Sequence, residues 1–188
     1  MRRVRYSVAM SLDGYIAGPQ GESDWIVIDP ALDFNALFNA FDTILMGRKT
    51  YEVTKQPDSG GGGMPGMQSY VFSRTLGPED CPGVILSDDP KTIITELKSK
   101  PGKDIWLFGG GSLFRSLLEL GLVDSVEVAI MPVLLGEGVP LLPPPVNWAK
   151  LKLTNHQVYE KTGTVVLEYA VSPGTTKQRR GSQKQKRK

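Results

Sequence analysis

The sequence predicts one α/β domain built on a mainly parallel sheet, with helices on both faces and an antiparallel edge at its C-terminal end. Three observations predict this fold class. Short apolar runs of strand length alternate with segments in which apolar residues recur at helical spacing. Two of the helical segments open on an Asp-Pro pair, which is typical of a helix N-terminus. Residues 151–159 and 164–171 are separated by a short turn and predict a hairpin.

The first half of the chain predicts three strands and one helix. Asp29 and Pro30 supply the N-cap and the first position of the helix, whose apolar stripe runs from Phe34 to Phe41. A glycine-rich stretch at residues 60–66 predicts a loop between the second strand and the third. The predicted strands of this half cover residues 3–10, 43–46 and 69–73.

The second half repeats the alternation of strand and helix. Asp89 and Pro90 give the same cap-and-proline signal ahead of one helix. Gly121 ends the next helix, as the glycine that commonly follows a helix C-terminus. The predicted strands of this half cover residues 84–87, 105–108 and 125–131, followed by the hairpin.

Length and composition exclude several classes of protein. The chain has 188 residues, of which 40% are hydrophobic and 22% charged, enough to bury a core. No window holds the roughly 18 continuous apolar residues of a membrane span, and no apolar segment of signal-peptide type follows Met1. Because Cys81 is the only cysteine, a disulfide framework and a cysteine-based metal site are excluded. Together these features favour a cytoplasmic protein.

The net charge of +2 combines two regions of opposite sign. Residues 172–188 carry seven basic residues and no acidic one, which leaves 15 basic and 20 acidic residues, a net charge of −5, in residues 1–171. We therefore expect a domain over residues 1–171 and a basic, disordered tail over residues 172–188. Basic tails can contact nucleic acid, but no aromatic residue interleaves these charges and the domain is acidic. We expect a solvated terminus and no nucleic-acid partner.

The strongest chemical signal is a strand followed by Gly109, Gly110, Gly111 and Ser112 and then a helix. Glycines let a ligand approach the backbone closely, and the helix N-terminus offers free N–H groups and the positive end of a dipole. The segment therefore predicts a pyrophosphate cradle, with tight helix–strand packing as the alternative. It is not a G-x-G-x-x-G fingerprint, because Phe114 takes the third glycine position. It is not a P-loop, because no Gly-Lys-Ser/Thr follows.

Two further strand ends carry groups suited to phosphate. The Gly-Arg-Lys-Thr run at residues 47–50 combines close backbone approach, positive charge and a hydroxyl group. Ser73 and Arg74, which follow the next strand, suit a monoester phosphate such as the 2′-phosphate of NADP. Ligands of open α/β sheets bind outside the carboxyl ends of the strands. The three signals together therefore predict a dinucleotide site at that edge of the sheet.

Five segments carry a resemblance to a known family. They read SVAMSLDGYIA at residues 7–17, ILMGRKTYE at 44–52, VFSRTL at 71–76, LFGGGSL at 107–113 and PVLLGEG at 132–138. In this order they resemble the dihydrofolate-reductase-like superfamily, and within it the riboflavin-biosynthesis reductase family of the RibD C-terminal type. The resemblance covers residues 1–171 and implies a dihydrofolate-reductase-like three-layer sandwich, with a mostly parallel central sheet and an antiparallel C-terminal hairpin.

The resemblance implies an NADPH-dependent reductase that transfers a hydride to a small heterocyclic substrate. The riboflavin-type substrate is 5-amino-6-(5-phosphoribosylamino)uracil. A dihydrofolate or pteridine reductase and a nucleotide-binding module without turnover remain the alternatives. The resemblance also implies a homodimer. The cofactor residues that it implies are Ala9, Ile16 and Ala17 at the nicotinamide, Gly47, Arg48, Lys49, Thr50, Gly109, Gly110, Gly111, Ser112, Leu113 and Phe114 at the phosphates, and Ser73 and Arg74 at the 2′-phosphate.

Four residues are candidates on the substrate side. Glu137 belongs to the Gly-Glu motif that borders the substrate in the riboflavin-type enzymes. Asp13 lies beside the nicotinamide end, although Asp-Gly is also a turn signal, and Trp25 either stacks on a planar substrate or covers the core. Asp33 is the nearest match to the acidic residue on the first helix of folate reductases, and thus a candidate catalytic residue. Its alternative is a first-turn carboxylate that stabilises the helix dipole.

Overall fold

A computed structural model describes residues 1–55, 64–145 and 148–172. The predicted glycine loop at residues 60–63 and the basic tail from residue 173 onward lie outside the described residues. The strands are β1 (Val4–Ser11), β2 (Tyr15–Ala17), β3 (Phe41–Gly47), β4 (Gln68–Phe72), β5 (Ile85–Ser87), β6 (Asp104–Gly109), β7 (Ser125–Met131), β8 (Val139–Pro140), β9 (Leu151–Tyr159) and β10 (Thr164–Val171). The helices are α1 (Phe34–Asn39), α2 (Arg48–Thr54), α3 (Pro90–Ser99) and α4 (Gly111–Glu119), with a 3-10 helix at Pro78–Asp80.

Within the described residues, eight strands form one sheet in the order β5-β4-β3-β6-β1-β7-β10-β9. The neighbours from β5 to β7 run parallel, whereas β10 is antiparallel to both β7 and β9. The predicted fold class, a mainly parallel sheet with an antiparallel C-terminal hairpin, is therefore confirmed. A second sheet of two short strands pairs β2 with β8.

Alternating side chains along the strands pack into two apolar clusters, one on each face of the sheet. One cluster joins Tyr6 of β1 to apolar residues of α3 and α4. The other joins Met46 of β3 and Trp106 of β6 to Tyr51 of α2 and to Leu37 of α1. Because each fully buried large side chain contributes about 1.5–3 kcal/mol, this packing holds the helices against the strand ends that carry the glycine motifs.

The first helix begins later than the sequence predicts. Asp33, rather than Asp29, is its N-cap, since the Asp33 carboxylate accepts a hydrogen bond from the backbone N–H of Ala36 at 2.9 Å. Asp29 instead accepts from the N–H of Ala31 at 2.8 Å and from Thr162 Oγ1 at 3.0 Å. The predicted helix start at Asp29 and Pro30 was therefore wrong. Asp29 closes a turn and holds it against the distant hairpin.

The other predicted elements are confirmed to within about two residues at their ends. Asp89 caps α3 by accepting from the N–H of Thr92 at 3.1 Å. Gly121 follows the last residues of α4 with a φ of 68°, the left-handed conformation expected of a glycine in this position. The short strands β2 and β8, helix α2 and the 3-10 helix at Pro78–Asp80 are additional to the predicted elements.

Strand β9 forms one edge of the main sheet and is exposed along most of its length. Leu153 and Val158 are 49% and 57% exposed, although both are apolar. They pair with Tyr169 and Val165 of β10 in the hairpin register, so these side chains share one face of the sheet. Exposed apolar residues on a strand that forms the edge of the described sheet are typical of a surface that meets another protein chain.

Candidate functional site

The three predicted phosphate segments lie side by side in the structure. Strands β4, β3 and β6 are consecutive neighbours in the sheet and run parallel, so their carboxyl ends meet at one edge. Ser73 follows β4, Gly47 ends β3 and Gly109 ends β6. Strand β1, which carries Ala9, lies on the other side of β6. The edge therefore offers a continuous path across four strands, as a dinucleotide requires.

Gly47 and the Gly109–Gly110 peptide enclose a small space between two strand ends. A Cβ atom placed on Gly47 would lie 3.7 Å from the Cβ of Leu113, 3.8 Å from the carbonyl oxygen of Gly109 and 3.9 Å from the amide nitrogen of Gly110. The hydroxyl of Thr50 approaches from α2, 3.3 Å from where a Cβ of Gly110 would stand. The φ of Gly47 is −82°, which any residue adopts. A turn therefore does not require glycine at position 47. The absence of a side chain instead leaves the space between the two strand ends open.

The N-terminus of α4 points its free donors at this edge. The first hydrogen bond within the helix runs from the N–H of Phe114 to the carbonyl of Gly110 at 3.1 Å. Among the described residues, the N–H groups of Gly111, Ser112 and Leu113 have no acceptor. Free N–H groups and the positive end of the helix dipole together attract an anion. This end of α4 is thus chemically suited to a phosphate.

Phe114 is a buried packing residue at the start of α4. Its side chain is 3% exposed and stacks on Tyr6 with ring centroids 4.0 Å apart. Gly111 is equally constrained, because a Cβ there would stand 2.6 Å from the carbonyl oxygen of Pro140. Both contacts fix the start of α4 against its surroundings. Tight helix packing, the alternative interpretation of the glycine motif, therefore exists alongside the open cradle at Gly47.

Positive charge gathers where β3 and β4 end. Arg48 donates from Nε to Glu52 at 2.7 Å and from Nη1 to Thr75 Oγ1 at 3.1 Å, so its guanidinium lies against the loop that follows β4. In that loop, the Ser73 hydroxyl accepts from two backbone N–H groups at 3.1 Å each. Arg74 and Lys49 are exposed and have no hydrogen-bond or ion-pair partner in the described ranges. The edge therefore presents cations that another anion can engage.

Asp13 acts as an anchor in this structure. Its carboxylate accepts from Ser11 Oγ at 2.6 Å, from the Gly136 N–H at 2.7 Å and from the Leu135 N–H at 3.1 Å. The Ser11 hydrogen bond, with those from Gly136 and Leu135, lowers the pKa of Asp13 below its usual value. An ionised Asp13 thus holds the loop at residues 132–138 to the end of β1.

The anchored loop brings Glu137 to the segment that the resemblance places at the nicotinamide. Strand β8, which follows Glu137, pairs with β2, which contains Ile16 and Ala17. Contact is close, since a Cβ on Gly138 would stand 2.3 Å from the carbonyl oxygen of Ala17. Glu137 itself is exposed, and its carboxylate has no partner among the described residues. It is free to meet a ligand at this end of the edge.

A cavity of about 210 Å³ opens beside the cradle, and we call it the apolar cavity. It is lined by Ser23, Ile44, Met46, Thr50, Val53, Thr54, Met64 and Phe108. Thr50 also faces the Gly109–Gly110 peptide. The apolar cavity therefore adjoins the predicted phosphate cradle.

Most of this lining was not singled out in the sequence. Met46 and Phe108 each precede a glycine at a strand end, which is the one signal that could have identified them. The predicted substrate residues Trp25 and Asp33 do not line the apolar cavity. Trp25 is half-buried and donates from Nε1 to the carbonyl of Glu22 at 3.1 Å. Asp33 is exposed at the start of α1, where its carboxylate caps the helix.

Within the described residues, no group of three or more His, Cys, Asp or Glu side chains is placed to hold a metal ion. No helix in the same ranges is long and apolar enough to cross a membrane.

The strand order, with its parallel centre and antiparallel C-terminal hairpin, defines an α/β protein, and the similarity to a dihydrofolate reductase of known structure shows that the fold is dihydrofolate-reductase-like. The family model described as the RibD C-terminal domain matches residues 2–166. The chain therefore belongs to this family, whose riboflavin-pathway members are reductases.

Individual proteins are similar to this chain over most of its length. The uncharacterized protein YyaP of Bacillus subtilis is 38% identical over 178 residues, which cover 89% of this chain and 94% of that protein. A putative riboflavin biosynthesis protein from Shewanella is 27% identical in sequence, with a TM-score of 0.76 over 92% of this chain and 99% of its own. A dihydrofolate reductase from Enterococcus faecalis complexed with NADP(H) is 17% identical, with a TM-score of 0.65 over 90% of this chain and 96% of its own. This last similarity concerns the fold.

Proposed function

We propose that this protein is an NADPH-dependent reductase of a small heterocyclic substrate, of the riboflavin-biosynthesis type. One observation carries the proposal: Gly47 and the Gly109–Gly110 peptide adjoin across neighbouring strand ends, so that a Cβ on Gly47 would come into van der Waals contact with Gly109, Gly110 and Leu113 beside the N-terminus of α4. An oxidoreductase family and its riboflavin-named relative support the reaction class. The Enterococcus reductase of the same fold supports the choice of cofactor, because it was crystallised with NADP(H).

In this proposal the cofactor lies along the sheet edge in a fixed direction. Ser73 and Arg74 bind the 2′-phosphate, with Arg48 held nearby by Thr75. The pyrophosphate lies between residues 47–50 and the N-terminus of α4. The nicotinamide lies towards Ala9, Ile16 and Ala17. Charge-assisted hydrogen bonds to the 2′-phosphate give the preference for NADPH over NADH.

Bound NADPH would supply a hydride to the substrate, so the residues of the chain have to bind, orient and exclude water. The apolar cavity next to Thr50 holds the ring that is reduced. Glu137 reaches the substrate from the loop that Asp13 anchors, and Trp25 approaches from residues 23–26. Asp33 is proposed as the acid from the resemblance alone, because the structure places its carboxylate at the N-cap of α1, outside the lining of the apolar cavity. Replacing it with asparagine separates this role from helix capping, because asparagine also caps helices.

The proposed assembly is a homodimer. Its support in the structure is the exposed apolar face of the hairpin, where Leu153 and Val158 of β9 lie beside Val165 and Tyr169 of β10. A second copy of the chain that covered this face would remove its apolar surface from water.

A turnover assay tests the proposed function. The purified protein is incubated with NADPH and either 5-amino-6-(5-phosphoribosylamino)uracil or dihydrofolate, and the nicotinamide absorbance is followed. We expect NADPH oxidation with the pyrimidine. Oxidation with dihydrofolate alone would assign the folate-type activity instead. Tight NADPH binding with no turnover of any small heterocycle would favour a nucleotide-binding module.

A further inference from the structure

Residues 11–17, which end β1 and form β2, are joined to residues 132–141 by several hydrogen bonds, and we call the two segments together the clamp. At one end, the N–H of Leu12 donates to the carbonyl of Val133 at 2.9 Å. At the other end, β2 pairs with β8. Between these points, the carboxylate of Asp13 accepts from two backbone N–H groups of the opposite segment. The clamp therefore connects the end of β1 to the loop that carries Glu137.

Ser11 lies at the base of the clamp, where it is fully buried as the last residue of β1. Its hydroxyl donates to Asp13 Oδ1 at 2.6 Å and accepts from the N–H of Tyr15 at 2.9 Å. A serine hydroxyl has a single proton, and here that proton is used by Asp13. One side chain thus links β1 to the start of β2 and to the carboxylate that holds the opposite loop.

The donors around Asp13 fix the orientation of its carboxylate. Ser11 Oγ donates to Oδ1 at 2.6 Å, the Gly136 N–H donates to Oδ2 at 2.7 Å, and the Leu135 N–H is shared by both oxygens at 3.1 Å each. Asp13 is exposed, so water competes for its oxygens, whereas the Ser11 hydroxyl is sheltered from water. Because a hydrogen bond is stronger where water is excluded, Ser11 is the firmest restraint on the direction in which Asp13 points.

Glu137 lies between two fixed points of the clamp. Gly136, which precedes it, is bound by Asp13, and Gly138, which follows it, lies against the carbonyl of Ala17. The φ angles of the two glycines are 78° and 151°, in the left-handed region that glycine adopts most readily. The chain therefore turns sharply on each side of Glu137, and the direction of its side chain follows from where the clamp holds the two glycines.

A carboxylate that is already in place binds a ligand at a lower entropic cost than one on a mobile loop. Glu137 is exposed, and its carboxylate has no partner in the part of the chain that the structure describes. Its position therefore depends on the backbone of the clamp. The proposed cofactor phosphates bind at the ends of β3, β4 and β6, outside the clamp. A loosened clamp should thus weaken substrate binding and leave cofactor binding intact.

We propose that Ser11 is a positioning residue, which orients Asp13 onto the loop at residues 132–138 and thereby holds Glu137 in place for the substrate. The inference rests on the proposed function, in which Glu137 contacts the heterocycle. Ser11 was not a candidate in the sequence. Asp13 then acts through Glu137 rather than on the substrate itself.

Steady-state kinetics of Ser11→Ala test the proposal, with NADPH and 5-amino-6-(5-phosphoribosylamino)uracil as the substrates. We expect the KM for the pyrimidine to rise about 10-fold, because a hydrogen bond to a charged group is lost. The kcat should change by less than about threefold, since the loss concerns binding. The Kd of NADPH should stay the same. An unchanged KM for the pyrimidine would overturn the proposal.

Ser125→Ala is the matched control. The Ser125 hydroxyl donates to the carboxylate of Glu127, two residues on, at 2.8 Å, as Ser11 donates to Asp13. Ser125 begins β7, whose last residue pairs with Ser11, so it lies at the opposite end of the sheet. This variant should leave the KM for the pyrimidine unchanged. An equal rise of KM in both variants would show a general effect of lost stability and would overturn the proposal.

A double variant separates positioning from a simple loss of structure. In a Glu137→Ala background, Ser11→Ala should raise KM by less than about twofold, because the carboxylate to be positioned is gone. A full tenfold rise in that background would overturn the proposal, since Ser11 would then act on another group. If Ser11→Ala does not melt cooperatively, Asp13→Asn takes its place with the same criteria, because an amide has one acceptor oxygen where a carboxylate has two.

Amide exchange measured by NMR reports on the clamp without any substrate. Exchange at Leu135 and Gly136 should be at least ~10-fold faster in Ser11→Ala than in the natural protein. Equal exchange in the two proteins would overturn the proposal. A natural protein that oxidises no NADPH with the pyrimidine would count against the proposed function, and the exchange result would still decide whether Ser11 orders the loop.

Discussion

At the scale of single residues, Arg74 is the side chain that we propose to set the preference for NADPH over NADH. It is exposed, it has no partner among the described residues, and it follows the strand next to Gly47. We expect Arg74→Ala to weaken NADPH binding by about 10- to 100-fold, the loss of a hydrogen bond to a charged group, and to leave NADH binding unchanged. Lys103→Ala removes one positive charge at the opposite end of the sheet and is the control. Equal losses for both nucleotides would remove Arg74 from the 2′-phosphate.

A second prediction at the scale of single residues concerns Asp13 and the dependence of the protein's stability on pH. Its hydrogen bonds from Ser11, Gly136 and Leu135 lower the pKa of the folded-state carboxyl below the unfolded value. The ionised carboxylate therefore stabilises the fold above the unfolded pKa, and this stabilisation is lost as pH falls through the folded pKa. In urea titrations, Asp13→Asn should be less stable than the natural protein at pH 7, and the difference should shrink in strong acid. A difference independent of pH would contradict this role.

At the scale of elements, the strand–glycine–helix units were predictable because each carries its signal locally. Asp89 caps α3 and glycines follow β3 and β6 as their sequences indicate. Two features were not predictable. The Asp29-Pro30 pair has the sequence pattern of a helix cap. In the structure, however, Asp29 accepts a hydrogen bond from Thr162, which lies 133 residues away and which no local pattern indicates. The wall of the apolar cavity uses strand residues such as Met46, which in sequence look like any other core residue. Met46 and Phe108 line the same cavity only because β3 and β6 are neighbours in the sheet.

Two glycines test whether the cradle at the strand ends is a binding element. At Gly47, φ allows alanine and no atom lies closer than 3.7 Å to the added methyl, so Gly47→Ala should fold normally and lose NADPH binding. At Gly121 the added methyl meets open space but φ is 68°, so Gly121→Ala should cost about 1–2 kcal/mol of stability and bind NADPH normally. Thermal melts and nucleotide titrations of both variants distinguish the effects. If Gly47→Ala instead lost stability and still bound NADPH, Gly47 would be a structural glycine.

At the scale of the whole molecule, the proposed homodimer depends on the exposed face of β9 and β10. Val158→Lys places a charge on this exposed apolar face, where it would be buried in a dimer and solvated in a monomer. Light scattering should give a dimer for the natural protein and a monomer for the variant. Lys152→Glu alters a charge on the same strand and should leave the dimer intact. A natural protein that is monomeric at all concentrations would contradict the proposed assembly.

We propose above all that the glycine-bearing edge of this sheet binds NADPH. Titration of the protein with NADPH and with NADH, followed through the nicotinamide fluorescence, tests it directly. We expect saturable binding of NADPH at micromolar concentrations and weaker binding of NADH. Absence of NADPH binding up to high micromolar concentrations would contradict it.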